Sequence, residues 1–178
     1  MNVVSRISRP ISQIYLIGMM GGGKTTTAHL LAEKMSWAVA DTDKLIESQG
    51  LTISDIFVNQ GERAFRQIER DILITCSETR KTVIATGGGL PCYHDNMNYI
   101  LEHGFVIYLK ASAETLIKRL ESDYRHRPLL SADSDTRADN IKTLLKKRKS
   151  FYERAHYIVE ADRDDPSAIV DKIHRILP

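Results

Sequence analysis

The sequence predicts an α/β fold of three layers, a parallel sheet between two sets of helices, and three observations carry that prediction. Short apolar runs rich in β-branched and aromatic residues recur along the 178-residue chain. Longer segments between them place apolar residues at helical spacing. The short runs themselves lack polar alternation, which suits strands buried on both faces, and strands alternating with helices pair in parallel through crossovers.

The strand runs are Ile14 to Ile17, Trp37 to Ala40, Thr82 to Ala85, Phe105 to Leu109 and Tyr157 to Val159. A first helix opens near Lys24, where Ala28, Leu31, Ala32 and Met35 repeat as i, i+3, i+4 and i+7. Phe65, Ile68, Ile72, Leu73 and Cys76 mark a second helix. Ile141, Leu144, Leu145, Phe151, Tyr152 and Ala155 mark a third, whose apolar face is interrupted by one charged residue, Arg148. Asp165 followed by Pro166 predicts an N-cap with proline at the first helical position, and Ile169, Val170, Ile173, Ile176 and Leu177 continue that last helix. The stretch from Glu121 to Thr136 fits neither period and carries Arg125 and Arg127. A loop of that length inside a compact domain is usually functional or disordered, and it is expected to form a mobile lid at about 121–134.

Composition bounds the function. There are 25 Lys and Arg against 23 Asp and Glu, a net charge of +2, and 42% of residues are hydrophobic. No nucleic-acid partner is expected from so even a balance, and Lys146, Lys147 and Lys149 read as a solvated helix face. The longest apolar run, Phe105 to Leu109, is far short of the ~20 residues that span a bilayer. Met1 to Ser12 has Arg6 and Arg9 and no signal-type apolar core. Cys76 and Cys92 have no CxxC spacing and read as free thiols in a reducing cytoplasm. One domain covering 1–178, without repeats or linkers, is the expected organisation.

The segment Gly18-Met19-Met20-Gly21-Gly22-Gly23-Lys24-Thr25 satisfies G-x-x-x-x-G-K-[ST], directly after a strand and before a helix. Such a loop turns backbone N–H groups inward around a phosphate, helped by the positive end of the helix that follows. Gly21, Gly22 and Gly23 permit the turn, Lys24 supplies a cation, and the Thr25 hydroxyl can ligate Mg²⁺. GTPases, ATPases and small-molecule kinases all use this loop. The chain has no N-K-x-D motif, and its third strand runs into Gly87-Gly88-Gly89 rather than a carboxylate. Asp41-Thr42-Asp43 follows the second strand, where ligands of an open parallel sheet gather. From there one acid can face metal-bound water and the other a substrate hydroxyl, the alternative being that Thr42 or Asp43 caps a helix. Arg66, Arg148 and the glycine turn would together offer two fork-shaped cations and backbone amides, a combination suited to a carboxylate. Arg127 is the candidate to close over the transferring phosphate.

These motifs together resemble the shikimate kinases, small P-loop kinases of the nucleoside-monophosphate-kinase-like group. The resemblance spans nearly the whole chain: the phosphate loop, Asp41-Thr42-Asp43, Gly61-Glu62 with Phe65-Arg66 and Ile68-Glu69, Thr86 to Gly89, Arg127-Pro128-Leu129-Leu130, and Arg148 with Tyr152 and Ala155. It implies a five-stranded parallel sheet in the order 2-3-1-4-5, a substrate-binding region near 43–75 and the lid. It implies a cytoplasmic, monomeric enzyme that transfers the γ-phosphate of MgATP to the 3-hydroxyl of shikimate. Carried over, Lys24 and Arg127 hold phosphates, Thr25 and Asp41 serve Mg²⁺, and Asp43 contacts the acceptor hydroxyls. Arg66 and Arg148 bind the carboxylate, Gly88 and Gly89 line the substrate, Thr26 adjoins the nucleotide, and Arg119 is the adenine-side residue. The chain departs from the family pattern in having Lys149-Ser150-Phe151 before Tyr152, where proline and leucine are common. The alternatives are a kinase for another hydroxy acid such as gluconate, and a nucleotide-binding module without transfer, whose mark would be a missing Lys24, Thr25, Asp43 or Arg66.

Overall fold

The computed structural model describes residues 10–120, 134–162 and 165–177. Its strands are β1 (Gln13–Ile17), β2 (Ala38–Asp41), β3 (Thr82–Ala85), β4 (Phe105–Lys110) and β5 (Tyr157–Glu160), in the spatial order β2-β3-β1-β4-β5. Every neighbouring pair is parallel, with Ile14 opposite Val83 of β3 on one side and opposite Phe105 of β4 on the other. The helices of the described residues are α1 (Lys24–Met35), α2 (Thr42–Glu47), α3 (Ile53–Ser77), α4 (Asn96–His103), α5 (Ala113–Leu120), α6 (Ser134–Tyr152) and α7 (Pro166–Ile176).

Successive side chains of a strand point to opposite faces of its sheet, and that alternation builds the three layers. Tyr15, Ile17, Ile84 and Val106 meet Leu73 of α3, Ile100 of α4, Leu116 of α5 and Tyr152 of α6. Ile14, Leu16, Val83 and Ile107 meet Leu31 of α1 and Ile169 and Ile173 of α7 on the opposite face. Each such buried aliphatic side chain contributes about 1.5–3 kcal/mol relative to exposure. Burial on both faces, expected of all five runs, holds for β1, β3 and β4. The edge strands differ: Ala38 and Val39 of β2 and Ile158 of β5 are exposed, because the helical layers cover the sheet's centre more fully than its edges.

Local chemistry sets the helix ends. Gly23 caps α1 with φ +85°, a left-handed conformation that glycine adopts without steric cost. A capping box between Thr52 and Asp55 starts α3, which is broken at Gly61 (φ 82°, ψ 169°). The Asp165 side chain accepts the Ala168 N–H at the start of α7, as the Asp-Pro pair predicts. α6 ends at Tyr152, one turn earlier than the apolar stripe suggests, and Ala155 lies in the turn after it. α2, α4 and α5 were not anticipated from periodicity. Because the sheet is parallel, the segments following β1, β2 and β3 all emerge at one edge, and there they form the candidate site.

Candidate active site

Two groups of residues meet at that edge. The first belongs to the phosphate loop. Gly21, Gly23, Lys24, Thr25 and Thr26 line a cleft of about 290 Å³ that also takes in Asp41, Asp43, Gly88 and Arg119. Gly22 lies within the same loop, its N–H bonded to the Met19 carbonyl. The Lys24 ammonium donates to the carbonyls of Gly18 (2.9 Å) and Met19 (2.8 Å), which seats it under the loop. Arg119 donates to the Ala161 carbonyl at 2.8 Å, at the end of β5, and so borders the cleft from the far side.

Asp41 carries two tasks at once. Its Oδ1 caps α2, accepting N–H groups of Asp43 (3.1 Å) and Lys44 (3.3 Å), while its Oδ2 accepts the Thr25 hydroxyl at 2.6 Å. The residue that caps α2 is therefore Asp41, not Thr42 or Asp43. Thr42 is fully buried, and its hydroxyl accepts the Gly87 N–H at 2.8 Å, tying the turn after β2 to the glycine turn after β3.

The second group surrounds that glycine turn. A Cβ built on Gly87 would lie 2.6 Å from Asp43 Oδ1 and 2.8 Å from Glu69 Oε1. One on Gly88 would lie 3.4 Å from Arg148 Nη1, and one on Gly89 2.7 Å from Arg66 Nη1. Two carboxylates and two guanidinium groups thus close on three consecutive residues, and a side chain at Gly87 or Gly89 would have to displace them. Arg66, expected as either a solvated or a binding arginine, is buried. It donates to Glu69 Oε2 at 2.7 Å and to Glu62 Oε1 at 3.0 Å, and lies over the Tyr93 ring at 4.0 Å. Arg148 is buried as well, with Nη1 3.8 Å from the Met19 sulfur. Lys146, Lys147 and Lys149 beside it face outward, as predicted. The turn continues to Cys92, whose thiol burial pushes up to about 11, so that it stays protonated at neutral pH.

The roles of four residues around the two arginines escaped the sequence reading. Glu62 and Glu69 stand four residues before and three after Arg66, a helical spacing that signals an ion pair and was legible in principle. Tyr93 and Met19 carry no such signal. Arg127 and the expected lid lie outside the described residues, apart from Ser134, which with Asp135 and Thr136 opens α6 rather than continuing a loop.

Burial raises the Glu69 carboxyl to about 7; Arg66 opposes the rise and the nearby Asp43 carboxylate adds to it. A group whose folded pKa is raised gives stability that is present in full below its unfolded pKa and is lost as pH rises through the folded value. The wild-type chain should therefore lose stability relative to Glu69→Gln between about pH 4.5 and 7. Thermal unfolding of both proteins across that range checks this, and parallel curves would rule it out.

A family model described as shikimate kinase matches residues 20–178. The chain belongs to the shikimate kinase family. It is 40% identical over 164 residues to the shikimate kinase of Sulfurihydrogenibium sp. (strain YO3AOP1), covering 92% of this chain and 96% of that one. Identity to the Microcystis aeruginosa shikimate kinase is 43% over 168 residues, with 93% and 86% of the two chains covered. The solved structure of the Acinetobacter baumannii shikimate kinase in complex with shikimate is similar with a TM-score of 0.88 and 33% identity, over 93% of this chain and 92% of that one. A gluconokinase from Sinorhizobium meliloti, at 16% identity and a TM-score of 0.62, shares the fold of this family member and no more.

Proposed function

We propose that this chain transfers the γ-phosphoryl group of ATP to the 3-hydroxyl of shikimate, releasing ADP and shikimate 3-phosphate. The observation that carries the reading is the glycine turn held between Arg66, Arg148, Asp43 and Glu69 beside a phosphate loop. Two buried guanidinium forks suit a carboxylate better than lysines would, because each can donate in parallel to both oxygens. Gly88 and Gly89 leave the acceptor ring space against the backbone.

Phosphoryl transfer asks a protein chiefly for alignment and charge compensation. Lys24 and the loop amides hold the phosphates, Arg119 borders the adenine side, and Arg127 is assigned to the transferring phosphate. Asp43 orients the acceptor hydroxyl and takes its proton late in transfer. Thr25 and Asp41 bring two oxygen donors 2.6 Å apart to the cleft, a hard and mostly open donor set that fits Mg²⁺, with water and phosphate as the other ligands. When bound, Mg²⁺ offsets charge on the phosphate oxygens. The same proposal places the enzyme in the cytoplasm as a monomer, with the unpaired Cys76 and Cys92 supporting a reducing compartment.

A gluconate kinase would share the loop and one carboxylate arginine, but two arginines on a glycine turn favour the ring acid. Presence of Lys24, Thr25, Asp43 and Arg66 argues against a module without transfer. A coupled assay of ADP release tests the proposal: activity with ATP and shikimate but not gluconate is expected, and preference for gluconate would refute it.

A further inference from the structure

Tyr152 is fully buried, and a buried hydroxyl is costly unless it is bonded. Its oxygen donates to the Gly88 carbonyl at 2.5 Å and lies 3.6 Å from the Met19 sulfur. The hydroxyl has one proton, which goes to the carbonyl as the nearer and stronger acceptor, so the sulfur is held by contact. Arg148 stands one helical turn earlier on the same face of α6, with Nη1 3.8 Å from the Met19 sulfur and on the side of Gly88 where a Cβ would lie 3.4 Å from it. A phenylalanine would serve equally well for packing on Tyr108, whose ring centroid is 5.0 Å away. The hydroxyl therefore has a separate purpose.

We propose that Tyr152 is a positioning residue for the acceptor: its hydroxyl fixes the Gly88 carbonyl and the Met19 thioether as the wall on which the Arg148 guanidinium rests. This rests on the reading above that Arg148 takes the acceptor carboxylate. Without the hydroxyl, the glycine turn loses its hydrogen bond to α6, and Arg148 loses part of the surface that aims it. The effect falls on acceptor binding, because Lys24 is held by the main-chain carbonyls of Gly18 and Met19, Thr25 by Asp41, and Arg119 by the carbonyls of Gly21 and Ala161.

Steady-state kinetics of Tyr152→Phe, alone and combined with Arg148→Ala, test this. The variant keeps the ring and opens no cavity beyond one oxygen atom, and its KM for ATP reports that the fold is intact. Its KM for shikimate should rise about twofold to tenfold, the scale of one lost hydrogen bond, with the KM for ATP unchanged. In the Arg148→Ala background the same substitution should add nothing further. An unchanged shikimate KM, an equal rise in both KM values, or the same penalty without Arg148 would each overturn the proposal. A wild-type enzyme that failed to phosphorylate shikimate would instead overturn the functional reading on which it rests.

Discussion

Asp43→Asn is expected to lower kcat by about a hundredfold to ten-thousandfold, the range lost with a general base, while leaving the KM for ATP nearly unchanged. Asp43 stands just inside α2, half-buried, with its Oδ1 close against Gly87, so an amide fits the same space. What the amide cannot do is accept the hydroxyl proton or match the carboxylate's charge. In the proposed site the phosphates are held by Lys24 and the loop amides, which the substitution does not touch. A kcat near the wild-type value would reduce Asp43 to a residue that shapes the turn.

Arg148→Ala and Arg66→Ala should each raise the KM for shikimate by about 10- to 150-fold, equivalent to about 1.5–3 kcal/mol for a hydrogen bond to a charged group. The two variants should differ in stability. Arg66 neutralises Glu69, which is 1% exposed, and removing it leaves a buried acid without its countercharge. Such a loss costs about 3–5 kcal/mol when the charge cannot be relieved, and less here because Glu69 takes up a proton near neutrality. Arg148→Ala should therefore melt closer to the wild type than Arg66→Ala. Kinetics with each substrate varied in turn, together with melting curves, check both statements. An arginine whose loss left the shikimate KM unchanged would have no place in the acceptor site.

Much of this arrangement was legible before any coordinates. The central strands could be read because a strand covered on both faces is mostly apolar, as Ile14 to Ile17 of β1 are. The same signal overstated β2 and β5, since an apolar run does not reveal whether the strand sits at an edge. α2 has only six residues and buries Thr42 and Ile46, too few for a helical period. α4 is preceded by Asp95 in a left-handed conformation that makes no side-chain cap, so its start carries no capping signature. In the site, Arg148 was legible because a charge on an apolar stripe needs a reason. The second function of Asp41 was not, because capping α2 and meeting Thr25 is decided by where β2 ends relative to α1. Nor could the role of Thr42 toward Gly87 be read, as it joins residues 45 positions apart.

The central claim is that two arginines and a glycine turn present one particular hydroxyl of shikimate to the phosphate loop. Correlated phosphorus–proton NMR of the product formed from ATP and shikimate tests it most directly. The account predicts a single new phosphoester, coupled to the proton on carbon 3 and formed in step with ADP. A phosphoester on another carbon, or ADP formed without any phosphoester of shikimate, would contradict it.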